Sequence, residues 1–532
     1  MSVFNNWGKL IRAMGITLAL CALLSSCKMG PTSNKFNPQV PGSQNDTSVS
    51  LAQNYFNRAD YTASGSFISG SCSDLNQKVS VTGAVTASDT CTAGSWDYYV
   101  NFLTWGISDG HTYNFTVSHA DSLGQRNTIS KSIFTDFTLP TLSDVYVNTT
   151  SASGHIFKMN DTLDVRVSYS EPIQLQGTAP HLLFNFGSVV NRSATCSMVS
   201  SSTTELTCPF SVLRGDTSSG TLFDYASINA LTATAFDMAM NPATVTLSAP
   251  GTGISISASQ TYYVDGILPT VLNVTASHTA GKYLYKKDDQ IDIQVNFSES
   301  VTITRTTPGS ITYPVLALKT DMLGHAGDVI PCDRTTATQY ICRYTVGDND
   351  YVATPYYLNY PHSGAFNISD TYENITDLAG NIALRYLPDP VASFPLSLGA
   401  ELLMVDGIAP YVASMTFTST AYHLGMKNYK AGETVNFTAN FSENIKMNGT
   451  GTATVLMNSP LIKNATCTLN TANLSCNYTV QSGDDVTNFN YKTDNALAVS
   501  NNATLTDIAG NTALLTLPDH TGLTSFLNNR IY

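Results

Sequence analysis

KKDDQIDIQVNFSE, residues 286–299, decides how this chain is read. Ile291, Ile293, Val295 and Phe297 alternate with Asp292, Gln294 and Asn296, the period-two pattern of a strand with one buried face and one wet face. The alternation stops at Ser298-Glu299. It returns as LDVRVSYSE at 163–171 and as TVNFTANFSE at 434–443, each with the same Ser-Glu ending. Three copies of one strand imply three copies of one domain.

The surrounding residues repeat in the same order. Each copy is introduced by an Asp followed closely by Pro: FTDFTLP to Pro140, YYVDGILP to Pro269 and LMVDGIAP to Pro410. Proline there stiffens the joint and blocks strand pairing at its own position. After the Ser-Glu strand comes a second strand (HLLFNFG, YPVLALK, ATVLMN), then a cysteine-bearing hairpin. A Gly-Asp turn follows (Gly215-Asp216, Gly347-Asp348, Gly483-Asp484). An Asp-x-x-x-Asn loop closes the copy: Asp237 to Asn241, Asp377 to Asn381, Asp507 to Asn511. Asp accepts from nearby amides, and Gly and Asn tolerate positive φ, so this is turn chemistry. Met240 stands where the other two loops have Gly, which predicts a less tight turn.

A shorter unit precedes these copies. FISGSC, KVSVTGAV, DTCTAGSWDYYVNFL and HTYNFTVSHADSLGQ read as short strands with Gly and Asp turns, at sandwich spacing. Trp96 and Trp105 read as core or strand-packing residues, with a surface sugar platform as the alternative, and Asp121 to Gln125 prefigures the later Asp loops.

Length and composition frame the rest. A chain of 532 residues exceeds one hydrophobic core. Charged residues are 12%, about half the usual share, and Ser, Thr and Asn replace them, as in β-rich extracellular chains. The net charge of −13 excludes the clustered basic surface of a nucleic-acid binder and a polybasic membrane site. Lys9 and Arg12 precede an apolar run from Ile16 to Leu24, which has the shape of an export signal. Leu24-Ser25-Ser26-Cys27 resembles a bacterial lipobox, implying cleavage before Cys27, lipidation of its thiol and a membrane anchor. Loss of residues 1–26 would lower the charge from −13 to −15. Lys28 follows, not Asp, which favours the outer membrane in a Gram-negative cell. Residues 27–56 have the Pro, Gly, Ser and Asn content of a tether.

Besides Cys21 and Cys27, the eight cysteines fall in close pairs, Cys72/Cys91, Cys196/Cys208, Cys332/Cys342 and Cys467/Cys476, one pair per segment. In an exported chain that pattern predicts disulfides; no zinc spacing is present.

Together, the FSE strand endings, the central hairpin, Tyr-Thr-Val before Gly-Asp, Asp-x-Ala-Gly-Asn and Val-Asp-Gly-x-x-Pro resemble the bacterial immunoglobulin-like repeats of surface and biofilm adhesins. The resemblance covers about residues 138–532 well and 57–137 as a divergent relative. It implies an all-β fold of tandem immunoglobulin-like sandwiches at 57–137, 138–267, 268–408 and 409–532, projecting from a cell surface and often stiffened by calcium at the joints.

Glu299 shares the parity of Phe297, so a regular strand would aim it at the core, where an unpaired carboxylate is costly. It must lie at a pole of the sandwich, leave through a bulge, or meet a cation. Oxygen ligands from Glu299, Asp377 and a boundary Asp such as Asp265 or Asp406 could assemble a calcium site; Glu171 with Asp237 and Glu443 with Asp507 are the equivalents. The alternative is that these carboxylates cap turn amides, for no contiguous calcium loop is present.

Catalytic signatures are missing: no nucleophile elbow, HExxH or phosphate loop occurs, and the His residues, among them His155, His181, His325 and His520, have no matching partners. The expectation is a lipid-anchored surface protein without catalysis or an obligate cofactor, acting in adhesion or structural display on an unknown protein or glycan ligand. The alternatives are a glycan-binding accessory lipoprotein and a self-associating envelope component. The tyrosine-rich stretch YVATPYYLNYPH at 351–362 is a candidate contact patch.

Overall fold

The computed structural model describes residues 47–149, 155–186, 189–218, 220–278, 281–305, 313–321, 327–368, 373–391, 397–419, 428–519 and 530–532. The signal stretch, Cys27 and the tether up to residue 46 lie outside the described residues, as do His325 and His520. The described residues divide between two compact units, bounded as Met1–Thr138 and Leu139–Tyr532, and among them both units are all-β with only short helical turns.

In the smaller unit, a five-stranded sheet runs in the order Tyr55–Phe56, Arg126–Thr135, Thr112–Ala120, Lys78–Gly83, Ala87–Thr90. The antiparallel pair Gly65–Ser71 and Ser95–Asn101 supplies the other layer. Alternation sends Val79, Val81, Phe115 and Val117 inward to meet Ile68, Trp96 and Val100. Trp96 is buried and its indole Nε1 donates to the Ser50 carbonyl at 3.1 Å, satisfying its one polar atom. Trp105 packs partly buried against the same core.

The larger unit holds three separate hydrophobic cores, built from Val145–Val264, Val271–Val405 and Val412–Ile531; they are called here the first, middle and last sandwich. The strand Gln290–Phe297 lies between Val271–Ser277 and Gln339–Thr345, antiparallel to both. Its inward residues Ile291, Ile293, Val295 and Phe297 are 0–3% exposed, each worth about 1.5–3 kcal/mol of burial. Thr162–Tyr169 and Thr434–Phe441 occupy the same central position in the first and last sandwiches.

In the middle sandwich the disulfide stands where one strand passes from one pairing partner to the next. Val329–Thr336 pairs with Pro314–Ala317 up to Pro331 and with Gln339–Thr345 from Cys332 onward. Cys332 and Cys342 face each other in register, with Cα atoms 4.0 Å apart, and are bonded. Cys467 and Cys476 repeat this arrangement in the last sandwich, Cys196 and Cys208 form the bond in the first, and Cys72 and Cys91 join in the smaller unit.

One motif aligns differently from its sequence pattern. The turn carboxylate lies four residues beyond Val212, Val346 and Val480, which selects Asp216, Asp350 and Asp484. Their Oδ2 atoms accept from the amides of Leu213, Gly347 and Gln481 at 2.8, 2.6 and 2.8 Å. Asp348, which the Gly-Asp pattern picks out, is instead exposed and pairs with Lys287. The turn is counted from the end of the strand, and the glycine slides within it.

The glycine of Val-Asp-Gly seals each joint against that turn. The Gly407 amide donates to the Asp350 carbonyl at 2.7 Å, and a Cβ on Gly407 would lie 1.7 Å from the Gly347 carbonyl oxygen. Gly266 has the same relation to the first sandwich, where its Cβ would meet the Leu213 oxygen at 2.2 Å.

A further repeat carries no alternation: Phe223-Asp224-Tyr225, Leu358-Asn359-Tyr360 and Phe489-Asn490-Tyr491, each followed five residues later by a buried Ala230, Ala365 or Ala496. The three tyrosines are buried and their hydroxyls donate to the carbonyls of Ser248, Pro388 and Pro518. Tyr360, inside the candidate contact patch, is therefore core.

Candidate metal centres at the joints of the larger unit

The Ser-Glu ending is a lock followed by a projecting carboxylate. The Ser298 amide donates to the Thr270 carbonyl at 2.8 Å and its hydroxyl accepts from the Thr270 amide at 3.0 Å. Ser170 with Thr141 and Ser442 with Tyr411 make the same two bonds. Each partner is the residue after the proline that opens its sandwich. The lock ends the strand and, with a register shift between Val271 and Asn273, releases Glu299 from the inward course its parity implied. Glu299 ends beside the joint.

The Asp loops are turn caps, as the alternative reading held. Asp377 Oδ1 accepts from the amides of Gly380 and Asn381, both at 2.8 Å, and its Oδ2 accepts from the Asn381 side chain at 2.8 Å. Asp237 and Asp507 hold Asn241 and Asn511 through the same atoms. Met240 adopts φ 63° and its loop keeps the Ala239 and Asn241 amide bonds to Asp237 Oδ1, but the Met240 amide donates to the Asp237 carbonyl at 3.2 Å, where the Gly380 and Gly510 amides also reach the carboxylate of their Asp.

Capping does not exhaust these loops. Asn381, fixed by Asp377, reaches the preceding sandwich: its Nδ2 donates to the Asp265 carbonyl at 2.8 Å and its Oδ1 accepts from the Met159 amide at 2.8 Å. Asn511 does the same one joint later, to the Asp406 carbonyl at 2.6 Å and from the Lys287 amide at 2.9 Å.

This clamp brings three carboxylates together at each of these joints. Asp265, Glu299 and Asp377 each offer an oxygen within 4.8 Å of the others, and so do Asp406, Glu443 and Asp507. Glu171 and Asp237 also approach within that distance in the first sandwich. Burial, with Asp265 and Asp377 adding repulsion, pushes Glu299 up to about 7; burial with Asp406 and Asp507 does the same to Glu443. Asp406 rises to about 6 through burial and the Asp507 charge, against the opposing amide of Ile408, and Asp265 is raised for the corresponding reasons. Among the described residues, no cationic side chain offsets this rise at either glutamate.

The donor set fits a hard divalent cation. It is all carboxylate, with no His or Cys, which suits calcium over zinc or copper. The Glu299 Oε1 atom is sealed from solvent and has no hydrogen-bond partner among the described residues, a costly state for a carboxylate. Calcium would be held by the three side chains and would supply charge neutralisation at the joint.

No family model matches the chain, and no curated protein sequence matches it either. Solved structures similar to it include a Ca2+-stabilised adhesin with which an Antarctic bacterium binds ice, 14% identical over 87% of this chain and 96% of that one, TM-score 0.32. A tetra-tandem repeat from the extending region of a large adhesion protein aligns at 14% identity over 87% and 96%, TM-score 0.22. A protein of a Bacteroides ovatus mixed-linkage glucan utilization locus, solved with a mixed-linkage heptasaccharide, aligns at 11% over 84% and 91%, TM-score 0.13. Alignments at this level do not bear on ligand or partner.

Sequence reasoning named the carboxylates and missed the asparagines as joint residues. Their signal was present, since Asn recurs at the end of all three loops, but a turn explains an Asn so readily that its second role has no mark of its own in the sequence.

Proposed function

We propose that this chain is a bacterial surface protein of tandem immunoglobulin-like sandwiches, anchored through a lipid on Cys27, whose joints are stiffened by calcium so that the array can act in adhesion or structural display without catalysis. The observation that carries the reading is the recurrence of one carboxylate triad at two successive joints, each organised by the same asparagine clamp and one including an orphaned buried oxygen. A cap needs one carboxylate, and three at one point without a counter-charge are destabilising unless protonated or bound to a cation. The sandwich boundaries at 138–267, 268–408 and 409–532, the export signal and an outer-membrane location belong to the same proposal and rest on the sequence.

The test is calorimetric titration of calcium into chelator-stripped residues 27–532, with melting curves in calcium and in EDTA. At least two sites and a higher melting temperature in calcium support the reading. Melting curves that superimpose, with no heat of binding, overturn it.

A further inference from the structure

The middle sandwich departs from its neighbours where the repeat is otherwise regular. Ahead of Phe223, Leu358 and Phe489, the two preceding positions hold Thr221-Leu222, Tyr356-Tyr357 and Thr487-Asn488. The paired tyrosines belong to one copy only. Repetition marks scaffold, so an exposed departure from it marks something added to the scaffold.

Tyr356 is 53% exposed and stands on a cleft of about 530 Å³, within the size range of small-ligand sites. Lys319 and Asp321 lie in the same wall, and the Lys319 ammonium sits 5.7 Å from the centre of the Tyr356 ring, which helps to hold it. The backbone position of Lys319 is scaffold: its amide donates to the Asn359 carbonyl at 2.7 Å, as the Asn458 amide does to Asn490 at 3.0 Å in the last sandwich. Its charge is therefore specific to this copy, like the tyrosines. The floor is fixed by Asn359, whose Nδ2 donates to the Pro390 carbonyl at 2.8 Å while its Oδ1 accepts from the Tyr360 amide at 2.9 Å.

We propose that this cleft binds a neutral saccharide, with a sugar ring stacked on Tyr356 and ring hydroxyls bonded to the Asp321 carboxylate and the Lys319 ammonium. An aromatic face takes the apolar C–H side of a pyranose. An ionised carboxylate can only accept and an ammonium can only donate, and a hydroxyl serves both from a single atom. The opposite charges cancel, so the wall does not select an ion. A proline-rich peptide fits less well, because it needs a row of aromatics. Here Tyr357 is half-buried, and Tyr360 is buried with its hydroxyl spent on Pro388.

The test is affinity electrophoresis of residues 27–532 through gels containing dextran, galactomannan, xylan or β-glucan, with heparin as a polyanion and a proline-rich decapeptide titrated separately. At least one neutral polysaccharide is expected to retard the protein. Tyr356→Ala should weaken that retardation roughly tenfold with an unchanged melting temperature, and Thr487→Ala, at the matching position of the last sandwich, should leave it intact. Retardation should also persist in EDTA and in Glu299→Gln, which separates this cleft from the cation reading. No retardation by any neutral polysaccharide, full retention by Tyr356→Ala, or binding of heparin or the peptide alone would overturn the proposal.

Discussion

Asn381 donates to the carbonyl of Asp265 at 2.8 Å across 116 residues of chain, joining the loop of one sandwich to the last strand of the sandwich before it. The same side chain accepts from the Met159 amide and is itself held by Asp377. Replacing it with Ala leaves a carbonyl and an amide at the joint without their partner, a loss of about 1–3 kcal/mol. Asn381→Asp should be worse, because it removes the donor and adds a fourth carboxylate to the cluster. Hydrogen exchange reads the effect residue by residue: the Met159 amide should lose protection in Asn381→Ala and the Lys287 amide in Asn511→Ala, each without affecting the other.

The raised carboxyl groups set a pH dependence whose sign changes with calcium. Glu299 and Glu443 bind protons more tightly in the folded chain than in the unfolded one, at about 7 against an ordinary 4.5. In chelator their contribution is complete below pH 4.5 and is lost as pH rises through 7. The melting temperature of the chelated protein should therefore fall between about pH 5 and pH 7.5 from this source. Calcium binds the ionised form, so its stabilising effect should grow over the same interval. Glu299→Gln combined with Glu443→Gln should flatten the chelator curve and reduce the calcium gain.

Why some of this could be read from sequence and some could not follows from the residues involved. Alternation in 291–297 is a local property, set by which face of one strand meets the core, so the strand, its burial and its copies were visible directly. The cysteine pairs were visible for a similar reason: each closes a short local loop. The dipeptide pattern picks out Asp348 instead of Asp350 because it follows the glycine, whereas the turn is measured from Val346. Glu299 could be narrowed to three fates but not to one, since its release depends on the Ser298 to Thr270 bonds and a register shift in a neighbouring strand. The asparagine clamps join residues more than 100 positions apart, and nothing local records them.

Two glycine substitutions should separate packing from backbone conformation. A Cβ on Gly407 would lie 1.7 Å from the Gly347 carbonyl oxygen, a backbone atom that cannot turn aside. Gly432 has φ 89° and nothing within 4 Å of its Cβ position. Gly432→Ala should cost about 1–2 kcal/mol for the left-handed conformation alone. Gly407→Ala should cost more than that and should also disturb the joint it seals. Denaturant melts give the ranking, and a smaller loss for Gly407→Ala than for Gly432→Ala would contradict the close packing of the Val-Asp-Gly segment on its turn.

The disulfides allow a comparison based on loop length. Cys467–Cys476 closes a sequence separation of 9 and Cys72–Cys91 one of 19. Restricting the unfolded chain is worth about 2.7 kcal/mol for the shorter loop and about 3.3 for the longer. Alanine pairs are the suitable replacements, because Cys467 and Cys476 are buried and a serine hydroxyl there would lack a partner. The last sandwich should lose about 2.7 kcal/mol in Cys467→Ala/Cys476→Ala, and the smaller unit slightly more in Cys72→Ala/Cys91→Ala. A chain of several cores need not unfold in one step, so hydrogen exchange within each core is the proper measurement. The loss should stay within the core that carried the bond, because each disulfide closes a loop inside a single sandwich while the joints depend on Asn381 and Asn511. Loss of protection at Lys287 in the Cys467→Ala/Cys476→Ala variant would show instead that the joint draws its stability from the staple.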